Sequence, residues 1–157
     1  MWVAARDERS GLVGSAMQWI VIPDLSARRL SLSSLIVGLE RLPDKGPVAG
    51  HVQWSVDRSF ARGSRLRFMT FIYNAARAPG APADLAAQVQ VYRDGRPVLS
   101  TPFRKVAADA QTDPARVPFT AELSLGDLQA GRYVLQVTVE DRAAHKTASQ
   151  QAAFYVR

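Results

Sequence analysis

GRYVLQVTVEDRAAHKTASQQAAFYVR, residues Gly131 to Arg157, reads as two strands of one antiparallel hairpin. Tyr133, Leu135, Val137 and Val139 fall on one face, and Val134, Gln136, Thr138 and Glu140 fall on the other. That period of two marks a half-buried strand. The polar segment Asp141 to Lys146 supplies the connection, and Thr147 to Val156 resumes an extended pattern that ends in Phe154, Tyr155 and Val156.

Working outward, Phe119, Ala121, Leu123 and Leu125 alternate with Thr120, Glu122 and Ser124, giving the strand that feeds this hairpin. Upstream, Ala87, Val89 and Val91 alternate with Gln88, Gln90 and Tyr92, and Asp94-Gly95 follows at once. Asp-Gly between apolar runs predicts a tight hairpin, because a type I′ turn needs positive φ at both central positions. Its partner would be Pro97 to Phe103, where Pro97 and Pro102 favour an edge. The segment RLRFMTFIY, Arg65 to Tyr73, puts Leu66, Phe68 and Ile72 on one face and Arg65, Arg67, Met69, Phe71 and Tyr73 on the other. Residues 12 to 39 are the candidate cover for the Met69, Phe71 and Tyr73 face. Val52, Trp54 and Val56 alternate as well, with Trp54 expected in the core.

Toward the start, Arg29 to Leu39 predicts a strand with Leu30, Leu32 and Ile36 on one side, and Met17 to Ile22 predicts another. Residues 1 to 11 are polar and expected to fray. Pro43 to Gly50 is the most turn-rich stretch and marks an expected boundary, with residues 1–46 as extension or linker strands and 47–157 as the main unit.

Roughly eight or nine strands at this spacing, with no convincing amphipathic helix, predict an all-β antiparallel sandwich with an N-terminal extended segment. Leu128 to Tyr133 refines the class. A glycine turn at Gly131 leading into Tyr133 at the strand mouth looks like the tyrosine corner of immunoglobulin-like and fibronectin-III-like sandwiches.

The 47% hydrophobic and 22% charged content of the 157 residues is that of a folded chain with a core, not of a disordered one. The longest apolar runs, such as Trp19 to Ile22, fall well short of the ~20 residues that span a bilayer. MWVAARDERSG lacks a basic start followed by an apolar stretch, so any targeting signal is expected outside this chain. Cysteine is absent, which excludes disulfides, thiolate metal sites and a cysteine nucleophile. The net charge of +6 fits either an anionic partner or an arginine-rich solvated surface. The even spread of arginines favours the second.

His51 and His145 have no metal-ligand partner at helical or strand spacing. There is no GxSxG elbow, HExxH helix or phosphate loop, so neither a cofactor nor an enzymatic reaction is expected. Asp109 and Asp113, with Gln111 and Thr112, lack the further oxygens and central glycine of a calcium loop. Arg58, Arg62, Arg65 and Arg67 interleave with Phe60 and Phe68, a pattern that would hold phosphates and stack bases. Phe68 reads as core, however, which weighs against nucleic acid as partner. The rim of Arg65 and Arg67 and the hairpin at Tyr92 and Asp94 are the candidate binding residues for a protein partner. Tyr133, Gly131 and Trp54 are the structural ones. The competing reading is sugar stacking on Trp54, Tyr92 or Tyr155.

A series of segments resembles the C-terminal region of acidobacterial von Willebrand factor A-related proteins. It comprises Gly14-Ser15-Ala16 through Val21-Ile22-Pro23-Asp24-Leu25, Arg29 to Leu35, Arg65-Leu66-Arg67-Phe68 with Ile72-Tyr73-Asn74-Ala75, Tyr92-Arg93-Asp94-Gly95, and Ala130 to Val137 through Asp141-Arg142. The resemblance implies an exported bacterial protein with an A domain ahead of this region, and a non-catalytic accessory role for the region itself. An A domain holds its cation through a DxSxS loop. Asp57-Arg58-Ser59-Phe60-Ala61 and Asp24-Leu25-Ser26-Ala27-Arg28 both lack the last serine, so no metal-site residue carries over.

Overall fold

The computed structural model describes residues 2–17, 25–40, 52–54, 57–77, 81–108, 113 and 115–157. The larger of two facing sheets contains β6 (Ser59–Phe60), β8 (Leu85–Arg93), β9 (Arg96–Ser100), β10 (Arg104–Lys105), β12 (Gly131–Asp141) and β13 (Lys146–Val156). Their order is β10-β8-β12-β13-β6, with β9 also on β8. The smaller sheet contains β3 (Ser31–Leu32), β4 (Ile36–Glu40), β5 (Val52–Trp54), β7 (Arg65–Tyr73) and β11 (Arg116–Ser124), in the order β11-β7-β4-β5 with β3 also on β7. Pairing is antiparallel except between β6 and β13. The protein is thus the all-β sandwich that the period-two patterns predict.

The C-terminal hairpin is continuous from Gly131↔Val156 to Asp141↔Lys146. Tyr133, Leu135, Val137 and Val139 are all buried, facing Leu66, Phe68 and Ile72 of β7 in one core cluster. Tyr133 stacks on Phe154 at 5.6 Å between ring centroids, and Phe60 meets Phe154 at 6.3 Å. The Tyr133 hydroxyl donates to the Gln129 carbonyl at 2.8 Å, the bond expected of a tyrosine corner. Asp94 and Gly95 have φ of +50° and +77°, so the β8–β9 turn takes the left-handed conformation read from its sequence.

The stretch 29–39 departs from expectation. It is not one strand but two, interrupted at Ser33 to Leu35. The Ser33 hydroxyl accepts the Phe71 N–H at 3.0 Å, its own N–H donates to the Phe71 carbonyl at 2.9 Å, and the Thr70 hydroxyl donates to the Ser33 carbonyl at 3.0 Å. The side chain has entered the ladder, and the inward phase shifts beyond it. Leu35 and Val37 are buried at 2% exposure, whereas Ile36, expected on the side of Leu30 and Leu32, is 40% exposed.

β3 and β4 also lie beside β7 within one sheet, not across the face of Met69, Phe71 and Tyr73. What lies on the Phe71 ring is the Arg116 guanidinium, 4.1 Å from its centroid. β4 and β5, on either side of residue 46, pair through Gly38↔Trp54, Leu39↔Gln53 and Glu40↔Val52. The core role expected of the Trp54 side chain lies outside the described residues, as do most of the strand expected from Met17 to Ile22 and His51.

From Trp2 onward the expected fraying is not seen. β1 (Trp2–Arg6) pairs with β2 (Val13–Met17) across a turn in which the Asp7 carboxylate accepts from the Ser10 hydroxyl and the Arg9 N–H. Those two bonds hold the Asp7 pKa below the usual carboxylate value.

Candidate functional site

The outward positions of the larger sheet carry an unusual amide content. Pairing sets Gln90 opposite Gln136 and Gln136 opposite Gln151, while Ser100 lies opposite Gln90, so four polar side chains form one row across β9, β8, β12 and β13. The row is hydrogen-bonded along its length. Gln151 Nε2 donates to Gln136 Oε1 at 2.6 Å, Gln136 Nε2 to Gln90 Oε1 at 3.5 Å, and Gln90 Nε2 to Ser100 Oγ at 3.3 Å. The Tyr92 hydroxyl also donates to Gln90 Oε1, at 3.1 Å, which fixes that ring against the row.

A shallow depression of about 540 Å³ lies beside it, lined by Tyr92, Asp94, Arg132, Val134, Gln136 and Gln151 among others. Tyr155 is 48% exposed and lies opposite Arg132 on the same face. The surface therefore offers two tyrosines, an apolar floor at Val134, one acid, one base and a set of amide donors and acceptors. Amides, hydroxyls and aromatic faces at half exposure suit recognition of hydroxyl-rich or peptide-like ligands.

The four binding candidates divide between the two sheets. Tyr92 and Asp94 border this depression, with the Asp94 carboxylate 3.9 Å from the Arg93 guanidinium. Arg65 and Arg67 lie on the outer face of β7 in the other sheet, Arg65 3.9 Å from Glu122 and Arg67 directly opposite it. Outward faces of a sandwich point in opposite directions, so these pairs belong to separate surfaces. The Arg65–Glu122 pair is well exposed and contributes little to stability. Gln136, Gln151 and Arg132 were not anticipated. Their signal is the cross-strand register, which needs the long-range pairing of β8 with β12.

The structural candidates act together. Gly131, at φ +149°, turns the chain so that Tyr133 reaches Gln129, and a Cβ there would stand 3.3 Å from Arg93 Nη2. Arg93 itself donates to the Tyr133 hydroxyl at 3.3 Å and to the Gln129 side chain at 3.4 Å. His145 occupies the exposed β12–β13 turn at φ +51°. Asp113 caps its own turn by accepting the Ala115 N–H at 2.9 Å, and Asp109, Gln111 and Thr112 lie outside the described residues. Among the described residues no three acids or histidines cluster as metal ligands, and no helix is long and apolar enough to cross a membrane.

No family model and no curated protein matches the chain. Solved structures similar to it include an alkylpurine DNA glycosylase from Pseudomonas fluorescens bound to DNA containing an abasic site analog. That likeness has 16% identity and a TM-score of 0.47, and covers 82% of this chain and 30% of the glycosylase. A Niemann-Pick type C2 protein from Japanese carpenter ant is similar at 10% identity and a TM-score of 0.47, covering 82% of this chain and 92% of that one. The CARDB domain of a Pyrococcus furiosus protein, solved in complex with di-metal ions, is similar at 14% identity and a TM-score of 0.35, covering 81% and 93%. The sandwich follows from the strand pairing itself.

Proposed function

We propose that the chain is a non-catalytic interaction module of an exported bacterial protein related to the von Willebrand factor A-containing proteins it resembles, and that it works through the outer face of the larger sheet. The observation that carries this reading is the Ser100–Gln90–Gln136–Gln151 row with the depression beside it. Its side chains are held in place by one another, so binding there costs little ordering entropy. The partner is a protein surface, and the A domain that the resemblance places upstream is the first to test.

Adding a separately expressed A domain from the same reading frame should shift the side-chain amide resonances of Gln90, Gln136 and Gln151. Shifts confined to the β7 face would overturn the assignment of the surface. A second reading, carbohydrate binding, is favoured by Tyr92 and Tyr155 sharing that face with the amides. Retention on a glycan array that disappears in Tyr92→Ala would select it, and an empty array would remove it.

A further inference from the structure

A separate cavity of about 770 Å³ opens at the end of the sandwich near the β12–β13 turn, within the size range of small-molecule sites. It draws on both sheets. Leu30, Ala75, Ala76 and Ala144 give it apolar walls, and Arg28, Arg29 and Lys146 stand around it.

Two polar side chains hold its frame. Asn74, at φ +58°, donates from Nδ2 to the Leu25 carbonyl at 3.1 Å and to the Arg29 carbonyl at 3.2 Å, which secures the segment bearing Arg28 and Arg29. Asp141, only 1% exposed, accepts the Ala76 N–H at 2.6 Å and the Ala144 N–H at 3.1 Å, tying one wall to the opposite turn. Both carboxylate oxygens thus point to backbone donors of the frame. None of the three surrounding cations has a carboxylate partner among the described residues. Against the one carboxylate in the lining, Asp141, whose oxygens are engaged by backbone N–H groups, these three cations leave a net positive field that attracts an anion, while the walls reward an apolar body.

We propose that this cavity binds a small organic anion, an apolar body with a single carboxylate or phosphate head, with Arg28, Arg29 and Lys146 as the charge partners. The site is independent of the outer sheet face and stands or falls separately from it.

Octanoate, octyl phosphate, 1-octanol and inorganic phosphate, each titrated into the whole chain and followed by amide shifts of Ala75, Ala76 and Ala144, test this directly. Octanoate or octyl phosphate should bind, the tighter of the two identifying the head group. Both should bind more tightly than 1-octanol or inorganic phosphate, and added salt should weaken them. Arg28→Gln/Arg29→Gln should weaken binding about tenfold or more, the loss of one to two charge-assisted bonds. Failure of both anions to bind, 1-octanol binding as tightly, or salt-insensitive binding would each overturn the proposal. The salt series on the unmodified chain decides between these outcomes even if the double variant is poorly folded.

Discussion

At Tyr133 one hydroxyl joins three parts of the chain. It donates to the Gln129 carbonyl at 2.8 Å and accepts from Arg93 at 3.3 Å, while the ring is stacked on Phe154. Tyr133→Phe keeps the ring and removes both bonds. The expected loss is about 1 kcal/mol, the net contribution of the Gln129 bond, since the Arg93 side chain is 36% exposed and water can take over its long contact. It should be read as a lower denaturation midpoint at unchanged slope, and an unshifted midpoint would mean that the hydroxyl only decorates the corner. A bond from this hydroxyl to upstream backbone was legible in the sequence, because a glycine turn leading into a tyrosine at a strand mouth looks like a tyrosine corner; the structure gives Gln129 as its acceptor. The Arg93 contact was not, because its partner is forty residues away and nothing local announces it.

At the scale of elements, alternation located the long central strands correctly and misjudged the stretch that forms β3 and β4. β7, β8 and β12 each bury one face over nine or more residues, so the period has room to declare itself. From Arg29 to Leu39 the same rule, carried through Ser33, put Ile36 on the same side as Leu30 and the buried Leu32. A serine hydroxyl can take the place of a backbone acceptor in a ladder, and sequence patterning does not register the change of phase that follows. The amide row escaped for a related reason, since glutamines alternating along one strand look like ordinary solvent positions until the neighbouring strands are in register. Two substitutions separate the phases. Ile36→Thr should change stability by about 0.5 kcal/mol or less, as an exposed substitution, whereas Leu35→Ala should cost about 2–5 kcal/mol through a core cavity. Thermal denaturation of both variants checks the pair, and a larger loss for Ile36→Thr would restore the uninterrupted strand.

For the whole molecule, the question is where the folded unit begins, because the turn-rich stretch Pro43 to Gly50 suggested a boundary that the pairing of β4 with β5 spans. Deleting residues 2–17 removes a hairpin whose Trp2, Val3, Leu12 and Val13 are 53% to 76% exposed. That deletion should move the melting temperature by no more than about 2 °C, since these four apolar side chains bury little area. Extending the deletion to residue 40 also removes Leu32, Leu35 and Val37, all at least 95% buried, together with the strands that pair with β7 along Leu66–Met69 and Ile72–Tyr73. Three such side chains contribute about 1.5–3 kcal/mol each by burial, a sum comparable with the whole 5–15 kcal/mol stability typical of a domain. The longer deletion should therefore abolish cooperative unfolding. Calorimetry on the two truncated chains distinguishes an integral smaller sheet from an appended extension: a cooperative transition after loss of residues 2–40 would show that β8, β12 and β13 hold a core with β7 and β11 alone.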